Sequence, residues 1–363
     1  MKILQKLIQI PSISGNENKI QKFIAKYLEK LGCSSLLVKG NIMAKIPGKD
    51  HKKCLIFNAH VDTVEAGDIK RWKDHPYTGK IVGGKIYGLG ASDEKAAVMA
   101  FLNLIKYYKT KKPPLDLWFM FVVREEIDGS GTQNSLNFLN QLKYLGKYQK
   151  ISAILGEPTS LKSVYMGHRG NIFVRLTAYG NSGHGSRSIP YAEHAVFKLV
   201  KIVNLLKRLE KQWQSKYSHP VLGQPTIGIF TTIQGGMSVN KFPDSCMATL
   251  DIRTTPNLHL QVLPMLKKTL QPFDVKVDYY APPVEPGLTS KSERIVKIAQ
   301  DATRLPVLVD TISCDLAFFT KLGIPAIILG PGTREVIHQT NEYVEIKNIK
   351  TSIKFYQKII EAF

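Results

Sequence analysis

Residues 115–123 are apolar at every position but Asp116. A strand with one wet face alternates apolar and polar side chains. A run like this one instead fits a strand covered on both faces, as in the parallel sheets of α/β proteins. It ends in Arg124-Glu125-Glu126, and successive side chains of an extended segment point opposite ways, so the two acids can serve different partners. Residues 54–57 are a second apolar run and lead into His60 and Asp62. Residues 151–155 lead into Gly156-Glu157-Pro158, and 326–329 into Gly330-Pro331-Gly332 and on to His338. In an open α/β sheet, the carboxyl ends of the strands are where sites form.

The intervening chain supplies helices and turns. Residues 2–10 and 17–31 have helical apolar spacing, stopped by Pro11 and Gly32. Residues 36–38 with 42–46, and 80–87, read as hairpins. Gly88 and Gly90 bring the chain to Asp93, and 96–107 is a helical run. Asp93 therefore stands near a helix N-terminus, where an ordinary capping role is the competing reading. After Gly170 the pattern becomes strand 171–179, helix 192–213, strands 226–234 and 246–253, helix 258–270 and strand 275–280. That order suggests a small α+β sandwich at 171–281 inserted into a domain made of 1–170 and 282–363, with Pro282-Pro283 at the return. Residues 290 onward become helical, then strands at 306–309 and 326–329 and a helix at 346–363 close the chain.

Composition excludes several classes. Hydrophobic residues make up 44% of the 363, which fits a folded chain. The apolar runs are too short to span a bilayer. Met1-Lys2-Ile3-Leu4-Gln5-Lys6-Leu7 has Lys and Gln where a signal peptide needs an apolar core, so a cytoplasmic location is expected. Cys33, Cys54, Cys246 and Cys314 lack the spacing of a thiolate metal site or a disulfide framework. Lys and Arg number 50 against 29 acids, a formal charge of +21, which favours anionic partners. The lysines are dispersed along helix faces without interleaved aromatics, so no nucleic-acid partner is expected, and no membrane.

His60, Asp93, Glu126, Glu157 and His338 collect two imidazoles and three carboxylates. Such a set suits two divalent ions, zinc first, with cobalt or manganese as alternatives. Asp93 is the natural shared ligand, leaving each ion one histidine and one glutamate. Asp62 beside His60 would fix the ring's tautomer. Glu125, next to a ligand, would take a proton from the attacking water and hand it to a leaving amine. The expected chemistry is amide hydrolysis.

The motifs His60-Val61-Asp62, Gly90-Ala91-Ser92-Asp93-Glu94-Lys95, Glu125-Glu126, Gly156-Glu157-Pro158 and His338 with Asn341-Glu342 resemble, end to end and in order, those of a dinuclear metallohydrolase family. Its members include acetylornithine deacetylase, succinyl-diaminopimelate desuccinylase and glutamate carboxypeptidase. The resemblance implies a mixed-sheet α/β zinc-hydrolase domain with helices on both faces, interrupted by a dimerisation or lid domain. It places His60 and Glu157 on one ion, Glu126 and His338 on the other, and Asp93 between them. It further implies that His184 reaches the partner subunit's site in a homodimer to steady the oxyanion. Asn240 and Arg253 would hold the carboxylate of a small N-acyl-amino acid, and Gly332 would lie at the substrate. Leu89, Glu94 and Ala96 stand where the family usually carries Arg, Met and Gly. Gly167-His168-Arg169-Gly170 and Gly330-Pro331-Gly332 look most similar to the acetylornithine and acetylcitrulline deacetylases. A sister hydrolase would share every ligand, whereas a non-enzymatic relative would be expected to have lost Glu125 or a ligand.

Overall fold

The strand Leu115–Val122 has every residue buried. Leu115, Leu117, Phe119 and Phe121 point into one apolar cluster, and Trp118, Met120 and Val122 into another. The neighbouring strand Asp50–His60 divides the same way, with Leu55, Phe57 and Ala59 on one side and Cys54 and Ile56 on the other. Alternation at period two thus puts an apolar layer on each face of the sheet. Phe57 stacks on Phe119 at 5.2 Å and meets Phe101 and Tyr356 edge-on or tilted at 5.1 and 5.7 Å. Truncating a ring so enclosed costs about 3–5 kcal/mol. Asp116 survives in this layer because it is fully paired. It meets Lys45 Nζ at 2.6 Å and His51 Nδ1 at 2.8 Å, and it accepts the Gly48 N–H at 2.8 Å.

This computed structural model describes residues 1–363, which divide into two compact units. The first comprises 1–167, 287–310 and 314–363; the second comprises 168–286 and 311–313. The limits expected from the sequence, 171–281, fall inside the second unit.

In the first unit a nine-stranded sheet runs in the order 35–38, 41–46, 115–122, 50–60, 150–158, 326–330, 164–168, 287–288, with 307–310 also pairing with 164–168. Its centre, from 115–122 to 326–330, is parallel, and the outer pairs are antiparallel. The sheet is therefore mixed. The helices Lys2–Gln9, Asn18–Lys30, Ala96–Thr110, Arg294–Thr303 and Ile346–Ala362 cover one face. Ser130–Gln141 and a short helix not expected from the sequence, Leu316–Lys321, cover the other.

In the second unit the antiparallel order is 226–235, 245–254, 170–179, 275–279. The helices Ala195–Tyr217 and Val262–Leu270 pack on the face bearing Ile172, Val174, Leu176 and Ala178. The long helix starts at Ala195, later than the expected 192. Tyr191–Glu193 forms a separate 3-10 turn, and His194 Nδ1 accepts the Phe197 N–H as the cap. No helix of the chain is long and apolar enough to cross a membrane.

Candidate metal centre

Three parallel strands deliver the candidate site residues at their carboxyl ends. His60 is the last residue of Asp50–His60, Glu125 and Glu126 follow Leu115–Val122, and Glu157 is the penultimate residue of Lys150–Pro158. Asp93 comes from the turn before helix Ala96–Thr110, through a cis peptide to Glu94. His338, at φ +56, comes from the loop after Ala326–Gly330.

The expected ligands fall into two triads that share Asp93. Ligand atoms of His60, Asp93 and Glu157 lie within 4.8 Å of one another, and so do those of Asp93, Glu126 and His338. His60 Nε2 is 3.0 Å from Asp93 Oδ1. His338 Nε2 is 3.2 Å from Asp93 Oδ2 and 3.1 Å from Glu126 Oε1. One Asp93 oxygen thus faces each histidine, the geometry of a bridging carboxylate.

So many acids in one buried space repel each other. Burial, then Glu157, pushes Glu125 well above the usual carboxylate range; burial, then Glu94, does the same to Glu157. Burial and Asp93 raise Glu126. Burial would lower His60, but the neighbouring carboxylates of Asp62, Asp93 and Glu94 together raise it well above its ordinary value. Asp93 and Glu126 lift His338 to about 11. The cluster therefore calls for positive charge, and two divalent cations fit both that demand and the oxygen and imidazole donors.

Asp62 does more than the sequence suggested. Its carboxylate lies 3.6 Å from His60 Nδ1, beyond hydrogen-bond range, while the Asp62 backbone carbonyl is the nearer partner at 3.1 Å. The carboxylate instead accepts the Ser14 hydroxyl at 2.6 Å and the N–H groups of Glu125 and Glu126, each at 3.2 Å. It braces the loop that carries both acids.

The sequence model of Peptidase family M20/M25/M40 matches residues 56–362. The chain belongs to that family. An acetylornithine deacetylase from Buchnera aphidicola subsp. Schizaphis graminum is 29% identical, the match covering 100% of this chain and 97% of that protein. A succinyl-diaminopimelate desuccinylase from Blochmanniella pennsylvanica is 27% identical over 99% of this chain and 96% of its own length. The crystal structure of an M20 family metallo-carboxypeptidase from Sulfolobus solfataricus superimposes with a TM-score of 0.79 at 23% identity, covering 99% and 98% of the two chains. The M20 chain is accordingly a hydrolase.

Four further buried titratable residues lie around these triads. Glu94 is 2% exposed; its Oε2 accepts the His60 N–H at 2.8 Å, and its Oε1 has no hydrogen-bond partner. Asp315 is buried, accepts the Thr132 hydroxyl at 2.5 Å and is pushed by burial to about 7. Lys95 is fully buried and donates to the Ile10 carbonyl at 3.1 Å; burial lowers it to about 7. Glu342 is 1% exposed; burial, then Asp93, raises its carboxyl, while the N–H groups of Gly90, Ser92 and Asp93 act to lower it. Gly332 lies against the ligand turn, where a Cβ would sit 2.3 Å from the Ser92 carbonyl oxygen.

In the second unit, His184 and Asn240 are brought together. The two-residue strand Gly183–His184 pairs with Lys241–Phe242, and Gly185 N–H donates to the Asn240 carbonyl at 2.7 Å. Both side chains are exposed, and His184 Nδ1 meets Ser186 Oγ at 2.7 Å. Arg253, on the strand Ser245–Thr254, is half-buried and paired with Asp251 at 2.9 Å.

Proposed function

We propose that this chain removes the acyl group from a small N-acyl-amino acid in the manner of an acetylornithine deacetylase, with two divalent ions, zinc before cobalt or manganese. The observation that carries the reading is the pair of triads sharing Asp93, with Glu125 adjacent to the ligand Glu126. His60, Asp93 and Glu157 would hold one ion, and Asp93, Glu126 and His338 the other. When bound, the ions would activate a water and polarise the amide carbonyl.

The chain's own residues do the rest. Glu125 accepts the proton of the attacking water and returns it to the departing amine nitrogen. Asp62 holds the Glu125 backbone in place, and the burial that raises the Glu125 carboxyl favours that acid–base cycle. His184, from the partner subunit of a homodimer, steadies the oxyanion, while Asn240 and Arg253 hold the substrate's carboxylate. The pairing of the His184 strand with Lys241–Phe242, which follows Asn240, supports assigning these two to one substrate-facing element. The likeness to the Blochmanniella desuccinylase favours a succinyl-amino acid as the second reading.

Two measurements test this. Turnover is compared across acetyl-ornithine, succinyl-diaminopimelate and dipeptides with zinc or cobalt added, and acetyl-ornithine is expected to be the best substrate. Glu125→Gln is expected to lower kcat by about 10²–10⁴-fold with metal content retained. Joint loss of metal and activity would make Glu125 a ligand and overturn its assignment as the base.

A further inference from the structure

The bridging ligand sits on an irregular turn, and the turn has one buried anchor. Gly90 has φ +74 and Asp93 is non-helical at φ −116, so no regular helix or strand fixes the backbone between them. Glu342 supplies the fixing contacts. Its Oε2 accepts the Gly90 N–H at 2.9 Å. Its Oε1 accepts those of Ser92 at 2.7 Å and of Asp93 itself at 3.0 Å. Three converging N–H groups make a concavity suited to an anion.

We propose that Glu342 is a positioning residue for the metal centre, its carboxylate setting where the bridging oxygens of Asp93 stand relative to both histidines. The inference rests on the two-ion reading above.

Chain connectivity makes the coupling direct. Glu342 is four residues after His338, so one short segment carries both a histidine ligand and the anchor of the shared ligand. Tyr343–Glu345 pairs with Lys85–Tyr87, and the Gly88 N–H donates to the Glu342 carbonyl at 2.9 Å, which locks that segment to the chain entering the turn. A carboxylate suits the place because its two oxygens can take three donors. An amide has one acceptor oxygen, and its NH₂ would face the remaining N–H.

A neighbouring contact provides the control. Ser92 Oγ donates to the Tyr343 carbonyl at 2.7 Å and accepts the Thr333 N–H at 2.7 Å. It ties the same segments together without touching the three N–H bonds made by Glu342.

The test strips the full-length wild type, E342Q, E342A and S92A of metal and titrates each with Zn²⁺ against a chromogenic chelator. Circular dichroism and thermal melting of the metal-free proteins run in parallel. E342A is expected to lose about 10–100-fold in Zn²⁺ affinity, the range for losing an outer partner of a ligand. E342Q, keeping one acceptor, is expected to fall between E342A and wild type. S92A is expected to melt lower yet bind Zn²⁺ as the wild type does. Wild-type affinity in E342Q and E342A overturns the proposal, and so does a loss in S92A as large as in E342Q. If E342A does not fold, E342Q against S92A decides on the same criteria. A wild type that takes up fewer than two equivalents shows the two-ion reading itself to be wrong, before any variant is compared.

Discussion

Replacing Asp62 by Ala separates two roles that the sequence would merge. If the carboxylate only oriented His60, its loss would cost about 10–100-fold in metal affinity or activity and little stability. The structure gives it three other partners: the Ser14 hydroxyl and the backbone N–H groups of Glu125 and Glu126. A buried donor left without an acceptor costs about 1–3 kcal/mol. The two backbone bonds are long, so the low end of that range applies to each, and the short Ser14 bond adds a similar amount. The sum is about 3 kcal/mol. For a unit of this size that lowers the melting temperature by about 6–12 °C. Calorimetry on the metal-free protein, where no ligand binding contributes, is the assay. A melting temperature within about 2 °C of wild type, together with reduced metal affinity, would refute the bracing role and leave Asp62 as a ring orienter alone.

Other outcomes follow from the same geometry. Gly156→Ala places a Cβ 2.3 Å from Glu94 Oε1 and 2.4 Å from the Ala97 Cβ, so a loss of about 1–3 kcal/mol and weaker Zn²⁺ binding are expected, checked by melting and chelator competition. Asp116 is lowered because Lys45, Gly48 and His51 outweigh its burial, so its contribution is present above the unfolded value of about 3.9 and is lost as pH falls through the folded value. Asp116→Asn should therefore melt lower than wild type at pH 7, with the difference shrinking as the pH drops below about 3.9. His184→Ala should lower kcat by roughly 10²–10³-fold without changing metal content. Mixing its subunits with those of Glu125→Gln should restore part of the activity, and no recovery after subunit exchange would place His184 outside the partner's site.

What the sequence revealed depended on where each residue lies along the chain. His60, Glu126 and Glu157 were legible because each ends an apolar run, and a run of that kind is a strong local signal of a buried strand. Glu94, Asp315 and Glu342 carry no such local signal. Each is an acid in a turn or beside a short helix, and its burial comes from segments far away in sequence. Asp315, for example, meets Thr132, and Glu342 meets residues 90–93. Asp62 was read through its sequence neighbour His60, while its closest side-chain partner, Ser14, is 48 residues earlier. The helix Leu316–Lys321 leaves no periodic signal in the sequence because six residues give too few turns to show one. Asp116 shows the reverse case: a strand signal strong enough to stand despite a charge, whose partners only the fold discloses.

The sheet order has a consequence for how the chain is made. His60, Asp93, Glu126 and Glu157 all lie before the second unit in the sequence, and His338 lies after it. The strand that separates 150–158 from 164–168 is 326–330, synthesised long after either neighbour. As the chain grows, four of its five candidate ligands therefore emerge first, with a gap in the middle of its sheet. Until the last forty or so residues emerge, the edge of the strand bearing Glu157 stays open to pairing with other chains. Completion of the active centre and closure of that aggregation-prone edge are then one late event.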